Sequence, residues 1–471
     1  MITEYIVHER FTRLILIFGG WGTDAHPFMH LRKNGYDILF ISDYSGYRDD
    51  NEADIIKLQQ IVGQYSETIV FAWSFGVRVA TTLLERLPAP LRITRRVALN
   101  GTPTHVHDLR GIPSATFRGT LAGLSETSVR KFHRRMFATG ADYASFAENA
   151  PHRPFASLVT ELQTFAKLPP VENTSVWDIA VISGEDRIFP RENQLRGWEG
   201  TETVVLKDAH HFPDMQMLID RFVVDKQLVA QRFAGATDTY ASQATVQHTV
   251  ADKLWQNTVD FLDKEPYNRV PKILEIGVGD GTLTRKYSDF FRKAEITLWD
   301  IADVSLPDGV PSSATLRVCD AETTLYNEPD ENYDIILSAS TIQWFHSPAR
   351  FISCLGKALA PGGIAAIALY GKGTFREIEA TTGRTLSYLT FDRLKKAAID
   401  SGLNELYAAE RSYTVSFTGA TDLLRHLKLT GVNSLGNGGA GDALKLLRNY
   451  PLQSDGTVAL TYHPLYLILK K

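Results

Sequence analysis

Short apolar runs separated by segments of helix length recur through the first 222 residues. They predict strands at residues 14–18, 37–41, 68–72, 96–99, 178–183 and 203–206. Buried strands that alternate with helices favour a mainly parallel sheet in an α/β domain. Residues from about 113 to 170 show no strand pattern, and they predict inserted helices that form a lid over the sheet.

A second α/β series follows, with predicted strands at residues 272–274, 296–299, 315–318, 333–338 and 364–370. The last two predicted strands, 413–417 and 457–469, are expected to close the same sheet. Between the two series, residues 214–231 have helical periodicity without a flexible spacer, which predicts a short or helical linker. The pattern therefore predicts two α/β domains, 1–222 and 223–471.

Composition narrows the class of protein. The chain has 471 residues, 44% of them hydrophobic, and a net charge of -4, which favours neither nucleic acid nor a membrane surface as a partner. The first residues carry no secretory pattern and no run is long enough to span a membrane, so we expect a cytoplasmic protein. Cys319 and Cys354 lack metal or redox spacing and are predicted to be reduced core thiols, and no pattern suggests a metal site.

Ser74 lies between a predicted strand and a predicted helix, in Ala-Trp-Ser-Phe-Gly. This pattern resembles the nucleophile elbow G-x-S-x-G, with alanine in place of the first glycine. Asp186 and His211 follow the last two predicted strands of this half, in the order Ser, Asp, His that α/β-hydrolases use. Asp108 is a rival acid and His210 a rival base, although we favour Asp186 and His211. The backbone N–H groups of Trp21 and Phe75 are the predicted oxyanion donors.

The motifs around residues 18–22, 72–77, 100–103 and 208–212 together resemble the esterases that cleave the methyl ester of pimeloyl-acyl carrier protein in biotin synthesis. The resemblance implies an α/β-hydrolase fold with a helical lid. The predicted lid is basic, and its charged face is either simply solvated or a docking surface for an acidic carrier protein whose arm bears a phosphate. The basic residues are Arg118, Arg130, Lys131, His133, Arg134 and Arg135.

A glycine-rich loop begins the second series, with Gly277, Gly279 and Gly281 after Glu275. The spacing differs from that of NAD sites, and with acids after the next two strands it resembles the Rossmann-like class I S-adenosylmethionine-dependent methyltransferases. The resemblance implies that the loop faces the amino-acid end of the cofactor, that Asp300 binds the ribose, and that Asp320 and Ala321 meet the adenine edge. Ser338 completes the predicted cofactor site.

Four further stretches resemble malonyl-acyl carrier protein O-methyltransferases: residues 240–247, 340–344, 370–377 and 426–433. Methyl transfer to a carboxylate needs no strong base, because the acid is ionised at neutral pH. Tyr240, Gln343 and Trp344 are candidates for lining the acceptor pocket, and Arg425 and Lys428 for contacting the carrier protein.

The two resemblances imply a bifunctional enzyme of biotin synthesis. One domain would methylate malonyl-acyl carrier protein with S-adenosyl-L-methionine, and the other would hydrolyse the methyl ester of pimeloyl-acyl carrier protein. Two alternatives stay open: a small-molecule methyltransferase fused to a thioesterase, and a methyltransferase with a degenerate hydrolase that serves as a docking module.

Overall fold

The computed structural model describes residues 1–87, 92–262, 270–305, 310–311, 314–327, 333–432 and 440–471. Contacts divide the chain into two compact units, Met1–Ile219 and Asp220–Lys471. The predicted boundary after residue 222 falls at the last residue of the helix Met215–Phe222. Among the described residues, none of the helices is both long enough and apolar enough to cross a membrane.

Seven strands among the described residues of the first unit form one sheet, in the order β1-β3-β2-β4-β5-β6-β7. All neighbours are parallel except β1, which is antiparallel to β3. Strands β2 to β6 are almost wholly buried, as expected for a sheet with helices on both faces. The strands are β1 Ile2–Val7, β2 Arg13–Phe18, β3 Tyr36–Ser42, β4 Glu67–Trp73, β5 Ile93–Leu99, β6 Ile179–Ser183 and β7 Thr203–Leu206.

Helices follow the strands as predicted, and four of them form the predicted lid between β5 and β6. The helices outside the lid are α1 Glu52–Gly63, α2 Phe75–Arg86, α7 Arg191–Gly197 and α8 Met215–Phe222. The lid helices are α3 Ser114–Ala122, α4 Glu126–Arg135, α5 Gly140–Glu148 and α6 Phe155–Phe165. Ser125 and Thr139 cap α4 and α5 with side-chain hydrogen bonds, which defines where these two helices begin.

The second unit has a sheet in the order β10-β9-β8-β11-β12-β16-β13 among its described residues. Strands β8 to β12 are parallel to one another, and β16 is antiparallel to both β12 and β13. The strands are β8 Lys272–Ile276, β9 Glu295–Asp300, β10 Thr315–Val318, β11 Tyr333–Ala339, β12 Leu359–Tyr370, β13 Asn404–Glu410, β14 Tyr413–Phe417, β15 Val458–Tyr462 and β16 Pro464–Lys470.

Helices cover both faces of this sheet. They are α9 Lys226–Ala234, α10 Thr237–Gln243, α11 Thr245–Val259, α12 Thr282–Ser288, α13 Ala321–Asn327, α14 Pro348–Ala358, α15 Arg376–Thr382, α16 Phe391–Asp400, α17 Ala420–Leu429 and α18 Ala440–Asn449. The segment predicted as a short or helical linker contains α8 and α9. Of the stretch 426–433, residue 433 lies outside the described residues.

The prediction for the closing strands was only partly right. Strand β14 does not join the main sheet but pairs with β15 in a separate two-stranded sheet. The run 457–469 is two strands, because His463 interrupts it and Pro464 begins β16, which enters the main sheet between β12 and β13. Cys319 and Cys354, predicted to be core thiols, are half-buried.

Candidate functional sites

Ser74 occupies a tight turn between β4 and α2. Its backbone has φ 58° and ψ -123°, a conformation that is costly for a residue with a side chain and that is found at functional sites. The turn fits only because its neighbours are small. A Cβ on Gly76 would lie 2.5 Å from the Phe18 carbonyl oxygen, and a Cβ on Gly101 would lie 2.3 Å from the Ser74 carbonyl oxygen.

The structure brings Ser74, His211 and Asp186 together in one hydrogen-bonded chain. His211 Nε2 lies 3.1 Å from Ser74 Oγ, and His211 Nδ1 lies 2.9 Å from Asp186 Oδ2. The three residues are only 5%, 1% and 9% exposed, respectively. A nucleophile, a base and an orienting acid in this order form the arrangement of a serine hydrolase.

Asp186 is held by its own loop. Its Oδ1 accepts hydrogen bonds from the backbone N–H groups of Ile188 at 2.7 Å and Phe189 at 2.9 Å. Its Oδ2 also accepts one from Gln194 Nε2 at 3.2 Å. Because these donors fix the carboxylate, the tautomer and the ring orientation of His211 are fixed as well.

Among the described residues, neither rival joins the hydrogen-bonded chain of Ser74, His211 and Asp186. Asp108 is exposed and accepts a hydrogen bond at 2.7 Å from the backbone N–H of Ser114, which lowers the pKa of its carboxyl. His210 contributes its carbonyl, which accepts a hydrogen bond from Asn100 Nδ2 at 3.2 Å. The geometry therefore favours Asp186 and His211 over Asp108 and His210.

A cavity adjoins Ser74 beneath the lid. Trp21 and Phe75, the predicted oxyanion donors, line it together with Ser74. Its remaining lining is mostly apolar and comes largely from lid helices, with two arginines. These residues are Ile112, Thr116, Phe117, Thr120, Phe132, Arg135, Leu162, Arg187 and Ile188. Such a cavity can receive an aliphatic chain next to the serine hydroxyl.

The basic lid residues differ in their surroundings. Arg118, Arg130, Lys131 and Arg135 are exposed, and Arg134 is half-buried. The ring of His133 packs on Phe146, and burial lowers its pKa to about 4, so this histidine is neutral at neutral pH.

In the second unit, the glycine loop after β8 borders a large cavity. Gly277, Gly279 and Gly281 have φ values of 79°, 56° and 76°, which favour glycine. A Cβ on Gly277 would lie 1.8 Å from Thr341 Oγ1, so the loop passes directly against the segment after β11. Gly277 and Gly279 line the cavity, and Gly281 is the N-cap residue of α12.

Acids at the ends of the strands face the same cavity. Asp300, at the end of β9, accepts hydrogen bonds from the backbone N–H groups of Gly279 and Ala302, and burial raises its pKa. Asp320 and Ala321 also line the cavity, where Asp320 Oδ2 accepts a hydrogen bond from Lys226 Nζ at 2.7 Å.

Glu275 provides a test of whether the predicted cofactor fits. Its Oε2 accepts hydrogen bonds from Tyr287 and Thr284, each at 2.7 Å, while burial raises its pKa to about 7. Its Oε1 is buried and has no partner among the described residues, although Glu275 lines the cavity. A ligand with hydrogen-bond donors would satisfy this atom, as the amino-acid and ribose groups of S-adenosylmethionine can.

Not every predicted residue reaches the cavity. Tyr240 and Trp344 line it, whereas the side chains of Ser338 and Gln343 are used inside the protein. Ser338 Oγ donates to the Ile276 carbonyl at 2.9 Å, and Gln343 Nε2 donates to the Ser340 carbonyl at 2.6 Å. Both side chains connect backbone segments around the cavity.

Several lining residues were not predicted individually. They lie on α9, α10 and α11, which precede the glycine loop in the sequence. Gln247 and His248 lie in or beside the stretch 240–247, which resembles malonyl-acyl carrier protein O-methyltransferases. The whole set includes Lys226, Val229, Phe233, Thr237, Gln247, His248 and Ala251.

Comparisons with known proteins give separate matches to two parts of the chain. Residues 1–222 match the family model "Pimeloyl-ACP methyl esterase BioG", and residues 274–367 match the model "Methyltransferase domain". A crystal structure of BioG from Haemophilus influenzae is 29% identical, with a TM-score of 0.39, and the match covers 45% of this chain and 94% of that one.

Two curated relatives are malonyl-[acyl-carrier protein] O-methyltransferases. The one from Haemophilus influenzae is 30% identical over 52% of this chain and 95% of its own length. The one from Bacteroides fragilis is 32% identical over 97% of this chain and 92% of its own length. The chain therefore belongs to the malonyl-[acyl-carrier protein] O-methyltransferase family of biotin synthesis, with a BioG-type domain at its N-terminal end and an S-adenosylmethionine-dependent methyltransferase domain at its C-terminal end.

Proposed function

We propose that the two units act in opposite directions on one protecting group. The second unit methylates the free carboxyl of malonyl-acyl carrier protein, and the first hydrolyses the methyl ester of pimeloyl-acyl carrier protein to the free acid and methanol. A methyl ester hides a charge that would be costly to bury in enzymes that extend apolar chains. The observation that carries the proposed esterase is the hydrogen-bonded chain Ser74–His211–Asp186.

Ester hydrolysis follows from the roles that this geometry supports. His211 Nε2 takes the proton of Ser74 Oγ as the oxygen attacks the ester carbonyl carbon, and Asp186 stabilises the charged imidazole. The backbone N–H groups of Trp21 and Phe75 are the proposed donors to the oxyanion. His211 then returns the proton to the leaving methoxy group, so methanol departs, and water releases the acyl group from Ser74 in a second, similar step.

Methyl transfer depends on positioning. When bound, S-adenosylmethionine supplies a methyl group on a positively charged sulfur. The acceptor carboxylate is already ionised, because carboxylic acids have a pKa of about 4, so no general base is required. The Gly277 loop and Asp300 would hold the cofactor, while Phe233 and Trp344 would keep water from the acceptor.

The direct test gives the full-length protein each substrate separately. Malonyl-acyl carrier protein with S-adenosylmethionine is expected to gain the mass of one methylene, since a methyl replaces a proton. The methyl ester of pimeloyl-acyl carrier protein is expected to lose the same mass while keeping its thioester. Free carrier protein as the product would instead indicate a thioesterase.

Ser74→Ala separates catalysis from docking. Removing the nucleophile should reduce ester hydrolysis by roughly 10⁴-fold or more and leave malonyl methylation unchanged. An unaltered hydrolysis rate would contradict the proposed esterase site. A degenerate docking module predicts no hydrolysis even by the unaltered chain.

A further inference from the structure

Two polar side chains in the cavity of the second unit have no partner within the protein. Gln247, on α11, is 5% exposed, and neither its Oε1 nor its Nε2 has a hydrogen-bond partner among the described residues. Trp344, in the short 3₁₀ turn after β11, is 7% exposed, and its Nε1 likewise has none. Both residues line the cavity that the glycine loop borders.

Buried polar groups of this kind are normally hydrogen-bonded, because leaving one unsatisfied costs free energy. The indole N–H is only a donor, so its missing partner must be an acceptor. The Gln247 amide offers a second donor at Nε2, while its Oε1 is an acceptor that needs a donor of its own. Two neutral donors in one cavity suit an anionic oxygen group.

The charged residues of the cavity are not suited to bind a carboxylate. Among the described lining residues, Glu275, Asp280, Asp300 and Asp320 are acids, which would repel a carboxylate. Lys226 already donates to Asp320 and Glu322, and His248 Nε2 lies 3.1 Å from Asp280 Oδ2. The uncharged groups of Gln247 and Trp344 are therefore the ones suited to receive a carboxylate.

We infer that Gln247 and Trp344 together bind a carboxylate in this cavity. The proposed reaction offers two sources: the carboxylate of the methyl acceptor and the carboxylate at the amino-acid end of the cofactor. The acceptor source rests on the proposed function. Neutral donors hold an attacking carboxylate without placing a second cation beside the positively charged sulfur of the cofactor.

The experiment removes each donor from the full-length chain. Gln247→Leu removes the amide, and Trp344→Phe removes the N–H while keeping an aromatic ring. Calorimetry with S-adenosylhomocysteine measures the cofactor side. Binding of malonyl-carrier protein and acetyl-carrier protein to the S-adenosylhomocysteine-loaded enzyme measures the acceptor side, since the acetyl group lacks the carboxylate.

The two binding measurements identify which ligand supplies the carboxylate. If the carboxylate belongs to the acceptor, both variants lose roughly 10- to 100-fold in affinity for malonyl-carrier protein, and their preference over acetyl-carrier protein disappears, while S-adenosylhomocysteine binds as before. If it belongs to the cofactor, the same loss appears in the affinity for S-adenosylhomocysteine. Gln247→Glu should lower the affinity for the same ligand further, because it places a glutamate carboxylate beside the ligand carboxylate.

Asn257→Leu is the matched control. Asn257 lies on the same helix and its Nδ2 also has no partner among the described residues, but the residue does not line the cavity, so neither affinity should change. Variants that keep both affinities within about twofold of the unaltered chain would overturn the inference. A thermal melt shows whether each variant folds. If only one of Gln247→Leu and Trp344→Phe folds, the affinities of that variant decide whether the inference holds.

Failure of the proposed function gives a different result. The unaltered chain would then bind S-adenosylhomocysteine but neither bind nor methylate malonyl-carrier protein. In that case the cofactor arm alone decides the inference.

Discussion

Asn100, at the end of β5, connects the parts of the proposed hydrolytic site that come from distant segments. Its Oδ1 accepts a hydrogen bond from the backbone N–H of Ser183 at 2.8 Å, and its Nδ2 donates to the His211 carbonyl at 2.9 Å. Trp73 Nε1 donates to the same carbonyl at 2.9 Å. The backbone that carries the base is thus fixed by side chains from the ends of β4 and β5.

Asn100→Ala should therefore lower the kcat of ester hydrolysis, by roughly 10- to 100-fold, because small displacements of a base reduce the rate strongly. The KM should change little, since Asn100 is not among the described lining residues of the cavity beside Ser74. Steady-state kinetics on a pimeloyl methyl ester measure both.

Asn100→Gly is the matched variant for this prediction. Asn100 has φ 46°, which asparagine tolerates and glycine adopts freely, whereas alanine does not. Equal losses in both variants would assign the effect to the hydrogen bonds. A normal rate for Asn100→Gly would contradict that role and assign the loss in Asn100→Ala to backbone strain.

At the scale of elements, the buried strands and the edge strands β7 and β10 could be predicted, whereas the edge strands β1 and β13 could not. Strands β2, β3 and β4 are apolar over nearly their whole length, so their own sequences identify them. By contrast, β1 and β13 are half-exposed and contain polar residues, and their strand conformation depends on pairing with β3 and β16. The separate β14–β15 pair likewise depends on partners distant in sequence.

The candidate sites could be located from the sequence where one local motif determines the backbone conformation. Ser74 and Gly277 lie on turns whose sequence requires a special backbone, and both occupy the expected positions. A position near the end of a strand does not determine where the side chain points. The side chain of Ser338 accordingly turns towards the neighbouring strand β8 and not into the cavity. Gln247 could not be singled out, because tertiary packing of α11 brings it to the cavity.

His105 connects the loop after β5 to the lid helix α6. Its Nε2 lies 2.9 Å from the Phe165 carbonyl oxygen, and burial lowers its pKa to about 4. The ring is therefore neutral in the folded protein at pH 5 to 6, whereas it becomes protonated below about pH 6.5 in the unfolded chain. Because the unfolded state binds the extra proton, folding stability is full above pH 6.5 and falls as the pH drops towards 4.

His105→Gln replaces the ring N–H by an amide N–H donor and removes this titration. The stability advantage of the unaltered chain over the variant should shrink by up to about 3 kcal/mol between pH 6.5 and 4. Denaturant unfolding at several pH values measures it, and the transition that shifts is that of the first unit. His133 titrates in the same direction in both proteins, so it cancels. A difference that does not vary with pH would contradict the prediction.

At the scale of the whole molecule, each unit supplies its own site. Ser74, Asp186 and His211 lie within residues 1–219, and the described residues that line the methyltransferase cavity lie within 220–471. One chain therefore carries both proposed activities in equal amount. Unless the proposed esterase discriminates between substrates, it would remove the methyl group from the malonyl ester that the other unit is proposed to make.

The lid cavity offers a means of discrimination. It is lined by apolar side chains including Ile112, Phe117, Phe132 and Leu162. A pimeloyl chain has four more methylene groups than a malonyl chain, and at about 0.8 kcal/mol for each one buried, the longer ester should gain roughly 3 kcal/mol. We expect kcat/KM to favour the pimeloyl methyl ester by roughly 100-fold.

Phe132→Ala tests whether the lid is the source of this preference. The variant removes apolar surface from the cavity, so kcat/KM for the pimeloyl ester should fall while that for the malonyl ester changes little, which narrows the ratio. Methyl transfer by the same preparations is the control, because Phe132 belongs to the first unit and should not affect it. Equal kcat/KM values for the two esters in the unaltered chain would rule out chain length as the basis of selection. The malonyl ester would then have to escape hydrolysis by some means other than the shape of the lid cavity.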